Sequence, residues 1–391
     1  MPLPPALHRQ VFFLGGFDPK SPRYYHRLYR GAVAGRPAAQ GERVSLTARR
    51  DAGPLLAEWD VRWESAGGET LATRYAVLRW DDIVLRHWAR TGLQVLKDYW
   101  NVYVDGTRQR LFQRTWPSAR ATWVVGVFPL LVGSSLALLF GLLGAGGWAL
   151  AGGPLSAWPL LAGAGALAAL WLLTWRAVER RIDTEWLLRL LGFSHAQACD
   201  QLPELEERLD AMAAELVKAA SGSTAQEILV VGHSTGSILA ASVVARALRQ
   251  APWLGSQGPG LAMLTLGHCT PLLAYFERAQ RFREELALLA DAPALTWFDY
   301  SAPADWAAFA RVPPWFRAGR ARLHQASPRF HKTMAAADYQ RLLKNRRALH
   351  LHYLNAPAIA GGYDVVTLTA GPLTLAQRHA ALTSAATAAV E

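Results

Sequence analysis

The pattern of apolar and polar positions divides the chain unequally. From Ala121 to Trp175 there is no Asp, Glu, Lys or Arg. That stretch is too long for a soluble core helix, and a glycine- and proline-bearing turn at residues 144–154 splits it into runs at 123–143 and 155–175. Each run has the roughly twenty residues that carry a helix across a bilayer. Trp123, Trp158, Trp171 and Trp175 stand near the ends of the runs, where aromatic side chains anchor spans at the interface. Elsewhere the pattern alternates between strand and helix. Strands are predicted at 11–14, 43–48, 57–64, 70–78, 228–231, 261–266, 295–300 and 348–354, the last being the final strand of the sheet. Helices are predicted at 22–33, 82–103, 203–220, 237–248 and 271–289. Gly67-Gly68 punctuates the pair 57–64 and 70–78 as a hairpin. This order predicts an α/β fold, a mostly parallel sheet with helices on both faces. Residues 1–113 and 183–391 would form one domain, and residues 114–182 a two-helix transmembrane hairpin inserted into it.

Charge settles the predicted orientation. Arg108, Arg110, Arg114 and Arg120 precede the first run and Arg176, Arg180 and Arg181 follow the second, while the turn between them has no cation. Both ends are therefore expected on the cytoplasmic side of a bacterial-type inner membrane. The net charge of +11 could suggest nucleic acid. The arginines are scattered or gathered beside the spans with no basic-aromatic motif, so a membrane lipid bilayer with anionic headgroups is the expected partner and nucleic acid is not. Two cysteines, Cys199 and Cys269, fit a reducing compartment better than a disulfide-stapled domain. Residues 1–10 have no apolar signal core, so the hairpin is expected to provide the attachment.

The chemistry is concentrated at Gly232-His233-Ser234-Thr235-Gly236, between the apolar run 228–231 and the helical stretch 237–248. Strand, sharp turn and helix is the order a nucleophile elbow needs. Glycines two before and two after the serine allow a tight turn that lifts the hydroxyl above the sheet edge. A glycine-rich turn with a capping serine is the plain alternative.

Together with the early strand that ends in Gly15-Gly16, and with an acid and a histidine downstream in the order Ser, Asp, His, this elbow resembles the α/β-hydrolase fold superfamily, in particular its serine esterase and lipase-like members. The resemblance covers the chain outside residues 114–181; a two-span insertion before the elbow is not part of the common pattern. It implies that Ser234 is activated by an imidazole from the end of the last strand. His350 and His352 both qualify, and they would share one strand face. His350 is preferred because His350-Leu351-His352-Tyr353-Leu354 is similar to the H-x-x-Y-L arrangement around the histidine of some lipase-like hydrolases; His331 is a distant third. The acid should follow the preceding strand, which favours Asp305 over Asp299, since Asp299 falls inside the predicted strand. The amide of Thr235 and that of Gly16 or Phe17 would form the oxyanion hole. His268 and Cys269 lack partners at metal-ligand spacing, and neither a metal nor a cofactor is implied. The expected function is hydrolysis of a hydrophobic acyl ester through an acyl-enzyme. Thioester cleavage, acyl transfer, and a non-catalytic membrane scaffold of the same fold are the alternatives, and the substrate does not carry over from the resemblance.

Overall fold

The computed structural model describes residues 7–37, 41–88, 91–150, 157–182, 184–315 and 319–388. The first part of the chain forms β1 (Leu7–Leu14), α1 (Pro22–Gly35), β2 (Arg43–Leu46), β3 (Arg50–Asp51), β4 (Leu56–Glu64) and β5 (Thr70–Leu78). Helices α2 (Asp81–Trp88) and α3 (Gly92–Tyr99) follow, then a π-helical turn (Trp100–Asp105), α4 (Gly106–Arg108) and α5 (Leu111–Ser118). The apolar segment forms α6 (Arg120–Leu150) and α7 (Ala157–Ile182). The chain continues through α8 (Thr184–Ala198), α9 (Pro203–Ala220), β6 (Glu227–His233), α10 (Gly236–Gln250), β7 (Gly260–Leu266), α11 (Thr270–Ala274), α12 (Gln280–Ala290) and β8 (Leu295–Tyr300). It ends with β9 (Arg322–Ala326), α13 (Ala336–Leu343), α14 (Arg346–Leu351), a 3-10 turn (His352–Leu354), α15 (Val365–Ala370) and α16 (Leu375–Ala388).

Nine strands form one sheet in the order β2-β4-β5-β1-β6-β7-β8-β9, with β3 beside β4. From β5 to β9 all neighbours are parallel, and β2 to β5 form the antiparallel edge. The α/β class and largely parallel sheet agree with the sequence pattern. Alternation along the strands serves two cores, as a sheet covered on both faces requires. Phe12, Leu14, Ile228 and Val230 face one, beneath α8 to α12; Val11, Phe13, Leu229 and Val231 face the other, beneath α1 and the C-terminal helices. At the sheet end remote from the elbow, Arg9 and Glu227 form a fully buried pair at 2.5 Å. Arg9 also donates to the Leu373 carbonyl at 2.8 Å and Glu227 accepts the Leu375 amide at 2.7 Å, so chain from before and after the hairpin is locked together.

Helices α6 and α7 are long and apolar enough to cross a membrane, with mean hydropathy of 2.2 and 1.5 over their apolar stretches. They are not a buried hairpin, because Leu138, Leu142, Leu161 and Leu173 on them are each at least half exposed. α6 runs past the expected 123–143 at both ends and α7 past the expected 155–175 at its end; residues 151–156, the end of the expected turn and the start of the second run, lie outside the described residues.

Three predicted elements differ, and one strand was not predicted. Residues 348–354 are helical rather than the final strand: the Asn345 side chain accepts the Ala348 amide at 3.0 Å and starts α14. The buried positions there, Leu349, His350, Tyr353 and Leu354, recur at helical spacing. The sheet instead ends on β9, whose Arg-Leu-His-Gln-Ala has no strand-forming pattern and whose pairing comes from β8 alone. The helix expected at 271–289 is broken into α11 and α12, and the Arg283 guanidinium caps the carbonyls of Ala274, Phe276 and Glu277 in the gap. The helix expected at 82–103 is divided into α2 and α3, the latter starting at a capping box of Thr91 and Gln94.

Candidate active site

Ser234 directly follows β6 and has φ +57°, a left-handed conformation unusual for a residue with a Cβ. The turn is tight enough to need its glycines. A Cβ on Gly232 would lie 2.6 Å from Ser237 Cα, and one on Gly236 2.2 Å from the Leu14 carbonyl oxygen. Neither distance leaves room for an atom, so α10 can cross the end of β1 only with glycine at these positions.

His350 comes from α14 and Asp305 from the loop after β8. Ser234 Oγ donates to His350 Nε2 at 2.8 Å, and His350 Nδ1–H donates to Asp305 Oδ2 at 2.8 Å. All three residues are buried. The Asp305 carboxylate also accepts the Tyr353 hydroxyl at 3.0 Å and the Ala307 amide at 3.1 Å. Burial works to raise the Asp305 carboxyl, but the His350 charge and these hydrogen bonds prevail and hold it below the ordinary aspartate value. Burial likewise works to lower His350, and the Asp305 charge and hydrogen bond prevail to hold it above the ordinary histidine value. His233, the second residue of the elbow, is pushed down to about 3 by burial and then by the charge of His350. Being neutral, it donates Nε2–H to the His350 carbonyl at 2.9 Å and braces α14 against the elbow.

The loop after β1 lies beside the serine. A Cβ on Gly16 would come within 2.9 Å of Ser234 Cβ. The Phe17 amide donates to Thr235 Oγ1 at 2.7 Å, which ties this loop to the residue after Ser234. Indoles hold its carbonyls from the other side: Trp80 donates to Gly15 at 3.1 Å and Trp186 to Phe17 at 3.0 Å. An open cleft leads to Ser234 and His350. Its walls are α5, the foot of α6 from Thr122 to Gly126, α8 and α11, and they are almost wholly apolar. Thr122 Oγ1 donates to the Ala308 carbonyl at 3.0 Å, joining the foot of α6 to the loop that carries Asp305.

The other sequence candidates lie elsewhere. Asp299 is buried in β8, accepting Thr265 Oγ1 at 2.8 Å and Ser301 Oγ at 3.1 Å, away from His350. His352 does not share a face with His350; on its 3-10 turn it stacks edge-on against Phe330 and bonds Asn355. His331 packs against Tyr339. His268 is bonded to Thr270 and to the Phe309 carbonyl, and the Cys269 thiol, pushed up by burial, lines the cavity. Tyr353 had no role in the sequence reading beyond its place in the H-x-x-Y-L pattern, which sets it one helical turn after His350 and so against the same carboxylate. Asp105, His195 and Cys199 were also missed, their signal being only a His and a Cys four residues apart. Their ligand atoms lie within 4.8 Å of one another, the one group among the described residues with donors for a metal ion. His195 Nε2–H donates to Asp105 Oδ2 at 2.7 Å and lies 3.8 Å from the Cys199 sulfur, while His195 Nδ1 is buried with no hydrogen-bond partner among the described residues.

Comparison of the chain with protein-family profiles, curated proteins and solved structures gives no match in any of the three.

Proposed function

We propose that the protein is a membrane-anchored serine hydrolase of the α/β-hydrolase type, cleaving a carboxylic ester of a hydrophobic acyl group. The observation that carries this reading is the unbroken line from Ser234 Oγ through His350 to Asp305, at 2.8 Å for each bond, on a serine with φ +57°. In such a line the histidine takes the serine proton as Oγ attacks the ester carbonyl, and Asp305 fixes the tautomer and balances the imidazolium. The tetrahedral oxyanion would meet the Thr235 amide at the N-terminus of α10, joined by the Phe17 amide once the Thr235 hydroxyl turns aside. Collapse breaks the ester C–O bond, and the His350 proton goes to the departing alkoxide. Water then attacks the acyl-serine, His350 accepts its proton and returns it to Ser234, and the acid leaves.

On this reading the hairpin crosses the inner membrane and the domain faces the cytoplasm. β1 and β6 lie on opposite sides of the hairpin in sequence and pair directly in the sheet, so both ends must emerge on one face of the bilayer. The arginines flanking α6 and α7 favour the cytoplasmic face.

Labelling of detergent-solubilised protein with a fluorophosphonate tests the chemistry. Ser234→Ala and His350→Ala should each lose labelling, with ester turnover reduced by about four to six orders of magnitude. Undiminished labelling of Ser234→Ala would show that another residue is the nucleophile.

A further inference from the structure

Among the described residues outside the two long helices, the most exposed large apolar side chains gather on the segment just before them. Leu93 is 78% exposed, Leu96 67% and Trp100 57%, and their spacing of three and four residues sets them on one side of α3 and the π-helical turn. A soluble face would not carry them. The same segment is fastened to the hairpin. The Tyr103 hydroxyl donates to the Gly126 carbonyl at 3.0 Å and the Tyr99 hydroxyl to the Pro129 carbonyl at 3.1 Å, so α3 climbs beside α6 from its foot. Two exposed tryptophans there carry guanidinium partners, Arg108 over Trp100 at 5.8 Å and Arg120 over Trp116 at 5.5 Å, the pairing of ring and cation that suits a headgroup layer.

Length adds a separate argument. The 31 residues of α6 extend about 46 Å, well beyond a hydrocarbon core of about 30 Å. Part of the surplus lies at the foot, where α6 is clad by α5 and α8 and forms a wall of the apolar cavity leading to Ser234.

We propose that α3, the π-helical turn and α5 are seated at the headgroup–acyl boundary of the leaflet the hairpin enters, and that the substrate is an ester lipid of that leaflet, its acyl chain passing from the bilayer into the cavity between α5, α6 and α8. The substrate half of this proposal rests on the hydrolase reading above; the seat of α3 does not.

The full chain, in a Cys199→Ser background, is placed in nanodiscs of phosphatidylcholine and phosphatidylglycerol that contain doxyl-labelled lipid. A fluorophore attached at Leu93→Cys or Leu96→Cys should be quenched several-fold more than one at Glu207→Cys, an exposed position on α9. Equal quenching would overturn the proposal, and self-association through this face would then explain the leucines. In the same discs, the ratio of turnover of a long-chain acylglycerol ester to that of a soluble acetate ester should fall about tenfold in Leu93→Glu/Leu96→Glu, because carboxylates cannot seat at that depth. An unchanged ratio overturns the lipid route. Quenching with no Ser234-dependent turnover of either ester would instead overturn the hydrolase reading and leave the seat standing.

Discussion

Ser234 adopts a backbone conformation that costs of order 1–3 kcal/mol, and that cost persists only because its neighbours over-determine it. Around it, the polar residues arrange one another in series. His233 holds the backbone of His350, Tyr353 and the Ala307 amide hold Asp305, and Asp305 holds the imidazole. The pH dependence follows. His350 must be neutral to accept a proton, and Asp305 keeps its value above the usual 6.5 or so, so kcat/KM should fall as pH drops through an inflection on the alkaline side of that value. In Asp305→Asn the raising charge is gone and burial, which lowers, is left. The inflection should move to lower pH while kcat falls by about 10⁴ through loss of the correct tautomer. A pH–rate profile of the variant with its inflection unmoved would separate Asp305 from the imidazole.

At the scale of elements, the elbow is a steric device. Because a Cβ at Gly236 would fall 2.2 Å from the Leu14 carbonyl oxygen and 2.6 Å from that of Gly15, Gly236→Ala must force α10 away from the end of β1. That movement would separate Thr235 from Phe17, which are bonded at 2.7 Å. Thermal unfolding should show a loss of at least about 2 kcal/mol, the range of severe overpacking, together with weaker probe labelling than a stability-matched variant elsewhere in the sheet. Normal labelling at unchanged stability would mean the turn has more room than these distances allow. The histidine-bearing segment teaches a different lesson. Leu349, Leu351 and Tyr353 alternate with polar neighbours as in a strand, yet the segment is a helical turn capped by Asn345. Short apolar alternations are ambiguous until something fixes the backbone, and here the cap and the docking of His350 against the elbow fix it.

For the whole molecule, the hairpin is an insertion that the sheet must close around. Reporter fusions after Arg114 and after Arg181 should both report the cytoplasm, and a fusion at Gly147 the far side. A cytoplasmic signal from Gly147 would mean that the hairpin lies along the surface without crossing. The buried Arg9–Glu227 pair binds the two halves of the domain at the remote end of the sheet. Arg9→Ala is therefore expected to cost about 3–5 kcal/mol by stranding a buried carboxylate, read as a lowered denaturation midpoint with α6 and α7 in place.

The features legible in the sequence are those whose cause is local or one-dimensional. An elbow occupies five consecutive residues, a span is a run of uncharged ones, and the bounds of β5, β8 and α9 follow from composition and punctuation over a few turns or pleats. The elbow turn and the two long apolar helices could be read on those grounds, whereas order along the chain left the base open between His350 and His352, and only the H-x-x-Y-L resemblance favoured His350. What joins these residues lies outside any local window. Asp305 was separable from Asp299 because it lies beyond the end of the strand, but its bond to His350 spans 45 residues, and His350 reaches Ser234 across 116. β9 exists because β8 offers an edge, and α14 because its buried face meets the elbow. The cavity takes its walls from helices on either side of the elbow strand in sequence. Pattern along a chain records which faces must be hidden from water; which faces hide one another is decided only when the sheet closes.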